Sequence, residues 1–249
     1  MRKPFTIELG ELVSDISYCP DEKCLGICTS NDLDGNVSDH FNKLVEMAEE
    51  IESIWINCSE LGHLNGLDLD VLKNVKKMQI GGFSRSGNLD LMPWLEAMPL
   101  LEELNAGSGV KINFSKAGAN SNLKDLSLSY DGLSENIGDI SSFKKLIRLG
   151  LEVKKDVPTP IFIKKSSIKE LKLCLERGVQ EPDIDFSLFP ELRRLWLVGF
   201  KKQPDLTQNN HLRQLIVAGS PKLKSMTAPN DNVTVCKFVT SDILGKKLW

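Results

Sequence analysis

Leu123-Lys124-Asp125-Leu126-Ser127-Leu128 sets apolar residues at relative positions 1, 4 and 6, and that spacing returns along most of the chain. Further copies read Ile51/Ile54/Ile56, Val75/Met78/Ile80, Leu101/Leu104/Ala106, Leu146/Leu149/Leu151, Ile168/Leu171/Leu173, Leu192/Leu195/Leu197 and Leu212/Leu215/Val217, with Val233/Cys236/Phe238 as the last. Steps between copies run from 20 to 26 residues. A fixed motif inside a loosely fixed period of this size marks stacked structural repeats, each too small to bury a core of its own. Such a stack buries its core one rung at a time and leaves a long open surface for a partner.

Within a copy, positions 4 and 6 flank a polar position 5, the period-2 pattern of a short strand with one buried face. Position 1 turns inward just ahead of the strand. Successive strands then lie side by side in one parallel sheet, about 4.8 Å apart. The segments between strands are too short and too broken for full crossover helices; Gly107 to Asn122 carries several glycines, and Lys155 to Ser167 contains Pro158 and Pro160. Irregular or 3-10 connections are expected there, with short helices near Leu67–Asn74 and Leu91–Met98.

L-x-x-L-x-L at this spacing resembles the leucine-rich repeat family, over roughly three quarters of the chain, from about residue 51 to 239. The resemblance implies an α/β solenoid. Its form would be a shallow horseshoe with one parallel β-sheet on the concave face and thin, irregular or 3-10 convex connections. The family's usual Asn, three residues past the third apolar position, is replaced here by Ser59, Phe83, Gly109, Asp131, Lys154, Glu176, Phe200 and Ser220, so uneven turns are expected.

A stack of this kind needs sealed ends, because an open terminus exposes both core and strand edge. Residues 1–50 read as an N-terminal cap: short strands at Phe5–Leu9 and Cys24–Cys28, then a helix at about 39–49 with Phe41, Leu44, Val45 and Ala48 on one face and Ser38 as N-cap. Residues 51–239 form the repeats. Residues 240–249, with Ile243, Leu244, Leu248 and Trp249, form a capping tail. No secretory signal or membrane-spanning stretch is visible, and the expected location is the cytoplasm, away from membranes, with the chain a monomer on its own. The formal charge of -3 hides a division. Residues 1–125 hold 11 Lys/Arg against 20 Asp/Glu, whereas residues 126–249 hold 20 against 14, so a stack carries a charge gradient along its length.

Catalytic constellations are absent. The three histidines, His40, His63 and His211, fall far apart along the chain, and no phosphate-binding loop or H-E-x-x-H pair occurs. Cys19, Cys24 and Cys28 match neither zinc-ribbon nor finger spacing even with His40 added, so no metal and no cofactor is expected. The chain reads as a non-enzyme.

What remains is the concave face. Position 3 presents Ser53, Lys77, Glu103, Asp125, Arg148, Glu170, Arg194 and Gln214; position 5 presents Trp55, Gln79, Asn105, Ser127, Gly150, Lys172, Trp196 and Ile216. Trp and Arg dominate interface hot spots. Trp196, Arg194, Lys172 and Arg148, with Trp55 further along, are therefore the expected partner-binding residues, against the alternative that Trp196 is shielded by long neighbours. The leading expectation is a protein-protein interaction module gripping a protein partner. An inhibitor or immunity protein that occludes a toxin or enzyme is the alternative. A nucleic-acid or anionic-ligand binder using the basic half ranks third, disfavoured by the acidic N-terminal half and the lack of stacked aromatics.

Overall fold

The computed structural model describes residues 5–8, 15–29, 41–42, 46, 50–58, 61–65, 67–81, 88–117, 122–154, 162, 164–219 and 231–238. Each apolar triad supplies a strand where its alternation lies: β4 (Ser53–Cys58), β5 (Lys77–Gly81), β7 (Glu103–Ala106), β9 (Asp125–Tyr130), β10 (Arg148–Val153), β11 (Glu170–Leu175), β12 (Arg194–Val198), β13 (Gln214–Ala218) and β14 (Thr234–Phe238). Upstream lie β1 (Phe5–Glu8), β2 (Asp15–Cys19) and β3 (Cys24–Thr29). Among the described residues these form one 12-stranded sheet in the order β1-β2-β3-β4-β5-β7-β9-β10-β11-β12-β13-β14. Among the described residues the sheet is open, with β1 and β14 at its two edges. The first two pairings are antiparallel; from β3 onward every pairing is parallel.

Register follows the sequence repeat. Leu149 lies opposite Leu126 on one side and Leu171 on the other, and Leu151 opposite Leu128 and Leu173. Positions 1, 4 and 6 thus build continuous apolar columns, and Leu126, Leu128, Leu149, Leu151, Leu171, Leu173, Leu195 and Leu197 are all buried. One hydrophobic cluster runs from Ile16 to Val233. Side chains at positions 3 and 5 point to the other side, called here the outer face.

A backbone device repeats at the strand entrances of the main sheet from β4 to β13. The carbonyl of position 2 accepts two amides from the next copy: Glu52 from Lys76 and Lys77, Lys124 from Ile147 and Arg148, Lys169 from Arg193 and Arg194. It pins each strand's start to the one before it. Lys23 does the same for Glu52 and Ser53, at 2.9 and 3.2 Å. Accordingly β3 is a further copy of the pattern, with Leu25 opposite Ile54 and Ile27 opposite Ile56. Glu22 occupies its position 1, which hides it from an apolar-triad reading.

Connections are short. They comprise 3-10 turns at Leu61–Leu64, Asp70–Leu72, Ile137–Ser142 and Phe186–Leu188, and short helices α1 (Met92–Ala97) and α2 (Phe114–Ala117). The expected short helix near 91–98 is α1, whereas near 67–74 only the 3-10 turn Asp70–Leu72 forms. A second, two-stranded parallel sheet pairs β6 (Leu89–Asp90) with β8 (Val110–Lys111), away from the main sheet.

Two expectations are corrected. At the last strand, Val235 lies opposite Leu215 and Cys236 opposite Ile216, so Cys236 belongs to the position-5 row and not to an inward position. The copy is displaced by one residue, and in a period-2 strand such a slip exchanges the faces. At the N-terminus, β2 is a strand the sequence reading left out. It forms a hairpin with β3 that is fastened to the first repeat: Tyr18 donates to the Glu50 carbonyl at 2.5 Å, and the Lys23 ammonium meets Glu50 and Glu52 at 2.6 and 2.7 Å. Of the expected helix at 39–49, Phe41 is helical and buried, while Leu44, Val45 and Ala48 lie outside the described residues, as does the tail 240–249.

Candidate partner-binding face

The strands position the outer-face side chains in rows that cross the sheet. The position-3 row carries charge of both signs, in the order Lys77, Glu103, Asp125, Arg148, Glu170 and Arg194. Lys77 reaches Glu103 at 3.0 Å, Arg148 reaches Asp125 at 2.7 Å, and Arg194 reaches Glu170 at 3.4 Å. Each cation of this row is therefore matched by a carboxylate on a neighbouring strand. Asp125 sits between Glu103 and Arg148 and is partly buried. Burial pushes its carboxyl above the ordinary value; Arg148 pulls the other way, and Glu103 and Glu170 add to the rise. The Asp125–Arg148 pair thus holds its charges at the expense of lost hydration.

The position-5 row is mostly uncharged. Trp55 is 39% exposed, the one tryptophan among the large exposed hydrophobics of the described residues. On one side its strand neighbour is Gly26, and a Cβ built there would meet Trp55 Cε3 at 3.9 Å. The indole leans over a position with no side chain. On the other side Gln79, Asn105 and Ser127 follow on successive strands. Their side chains form no hydrogen bond with other described residues.

Sequence reasoning named five residues, and the structure separates them. Trp196, Arg194, Lys172 and Arg148 share the outer face on β10, β11 and β12, with Lys172 directly opposite Trp196. Trp55 stands alone on β4. Trp196, expected as an exposed anchor, is only 6% exposed. The Arg194 guanidinium lies over its ring, 5.2 Å from the centroid, a cation–π contact that covers one indole face. Cys174, one position-7 step along β11, is likewise buried, and burial pushes its thiol up to about 11. The C-terminal part of the outer face is thus closed around Trp196, and the N-terminal part is open around Trp55.

The matched acids Glu103, Asp125 and Glu170 stand in the position-3 column of the sequence, and the ion pairs make them neutralising partners of the row's cations. Their place beside Lys77, Arg148 and Arg194 in that column is the available signal. Among the described residues no three His, Cys, Asp or Glu side chains converge as a metal-holding group. Cys28 lies opposite Asp15, four residues along β3 from Cys24 and hence about 13 Å away in an extended strand. No helix of the described residues is long and apolar enough to cross a membrane. Compared with known families and curated proteins, the chain matches no family model and no curated sequence.

Proposed function

We propose that this chain is a non-catalytic protein-interaction module of the leucine-rich-repeat type, a shallow horseshoe whose concave face is the outer face described above. The in-phase triads and the strands added in chain order support the repeat reading. The observation that carries the functional reading is Trp55, exposed beside Gln79, Asn105 and Ser127, whose side chains make no hydrogen bond to other described residues. An exposed indole among adaptable polar groups is the composition of an interface hot spot and its surround. The self-matched position-3 row adds orientation and register more than net attraction. The partner surface it suits is a protein patch with an apolar pocket and neutral donors and acceptors.

The test is a photo-crosslinking residue placed singly at Trp55, Leu100 and Ile147, the three large exposed hydrophobics among the described residues. In the native host, position 55 should give a discrete protein adduct while Leu100 and Ile147 give none. Against the captured protein, Trp55→Ala should lose at least about 2 kcal/mol, roughly thirtyfold in Kd. Adducts confined to positions 100 and 147, with Trp55→Ala binding as tightly as the parent, would move the interface off this face.

A further inference from the structure

The N-terminal hairpin carries a pair of groups independent of the outer-face reading. In the antiparallel β2–β3 ladder, Cys19 lies directly opposite Cys24, across the turn Pro20–Lys23 in which Lys23 takes a φ of 49°. Directly opposed residues of an antiparallel pair hold their Cα atoms about 4.5 to 5.5 Å apart and point to the same face. A disulfide accepts Cα separations of about 4.4–6.8 Å and asks for Cβ atoms about 3.5–4.5 Å apart. The backbone is therefore already in range, and the side chains have at most about 1 Å to close.

Access and competition favour the same pair. Both thiols are partly exposed, while Cys58 and Cys174 are buried. Among the described residues the Cys24 thiol makes only a weak contact, to the Leu25 carbonyl at 3.9 Å, so little is given up there when it turns toward Cys19. Cys28 faces Asp15 at the other end of the hairpin, and Cys236 sits on the last strand of the sheet. No other two cysteines are opposed in register.

We propose that Cys19 and Cys24 form a cross-strand dithiol that is converted to an intramolecular disulfide by a small-molecule disulfide of the glutathione type. One thiolate attacks the small disulfide, forming a mixed disulfide and releasing one thiol. The second thiolate then attacks the protein sulfur of that mixed disulfide and expels the other thiol. Two protein thiols lose two protons and two electrons, and one small disulfide becomes two thiols. The new bond closes the turn that ends in Lys23, whose ammonium and carbonyl both hold the first repeat.

The experiment equilibrates the full chain with graded ratios of reduced and oxidised glutathione, traps free thiols by alkylation, and maps the peptides by mass. The expected result is a Cys19–Cys24 link lighter by two hydrogens, with an equilibrium constant at least about tenfold larger in the native chain than in concentrated urea. Urea retains the short sequence separation but removes the register. Cys19→Ser and Cys24→Ser should each abolish the link and leave the remaining thiol as a stable glutathione adduct. The proposal is overturned if both cysteines stay alkylated at oxidising ratios, if each carries its own glutathione, or if the link forms equally well in urea.

Discussion

Gly199→Ala and Gly219→Ala form a matched pair whose difference is set by geometry. Both glycines follow a strand and both have positive φ, 81° and 59°. A side chain in that conformation costs about 1–2 kcal/mol on its own. At Gly219 the added Cβ would find only ordinary contacts, at 3.8 Å from Gly199 N and from a Val198 methyl. At Gly199 it would stand 2.8 Å from the Leu175 carbonyl oxygen and 3.4 Å from the Leu175 Cβ. The obstacle is backbone, and β11 is held on both sides by neighbouring strands, so the clash must be relieved by shifting the sheet. Overpacking of that kind adds about 1–3 kcal/mol. Gly219→Ala should then cost about 1–2 kcal/mol and Gly199→Ala about 2–5 kcal/mol, compared by urea unfolding at a shared m-value. Equal losses, or a Gly199→Ala loss below about 1 kcal/mol, would refute the close approach of β11 and the turn after β12.

Leu149, fully buried between Leu126 and Leu171, should cost about 2–5 kcal/mol on truncation to Ala, while its exposed neighbour Ile147 stays within about 0.5 kcal/mol, both read from the urea midpoint. Trp196→Ala should destabilise the fold by about 3 kcal/mol, because the ring is buried although it sits on the outer face; a melting temperature equal to the parent's would contradict that. Acid should weaken the chain through Glu52, whose carboxyl is held below its usual range by hydrogen bonds from Lys23 and then Lys76. A depressed carboxyl contributes stability above its ordinary value and loses it as pH falls through the lowered one, so Glu52→Gln should flatten the acid side of a melting profile between about pH 7 and pH 3. Asp125, raised chiefly by burial, has the opposite sign, and Asp125→Asn should steepen that acid loss.

The columns of the main sheet were legible because positions 1, 4 and 6 are apolar in nearly every copy, and register then follows from burying them. That the strand Cys24–Thr29 carries the first copy of the pattern was not. Glu22 stands where an apolar residue was sought, and the signal that replaces it, two amides sharing the Lys23 carbonyl, is a backbone property with no side-chain signature. The strands Leu89–Asp90 and Val110–Lys111 are too short to show any period. At the candidate face, parity alone put Trp55 and Trp196 on the same side. It could not separate their exposures, which depend on what surrounds each ring: Gly26 offers no side chain beside Trp55, whereas Arg194 lies over Trp196. Likewise the residues of the position-3 row could be written down from sequence. That they cancel in pairs required distances.

Strand order that follows chain order from β3 to β14 also bears on how the molecule is made. Each strand's main partner has already left the ribosome when it emerges, so assembly can keep pace with synthesis. At about 5–20 residues per second, one copy of the motif takes roughly one to five seconds to appear, far longer than a strand needs to dock on a preformed edge. The antiparallel run β1, β2 and β3 needs local contacts only, and its last strand offers the template on which β4 adds. The nascent chain then carries one growing edge, the leading one, throughout elongation. A stall within the repeats would leave that edge open to a second nascent chain carrying the same strand, which makes translation speed, and not only final stability, a determinant of how much protein is recovered intact.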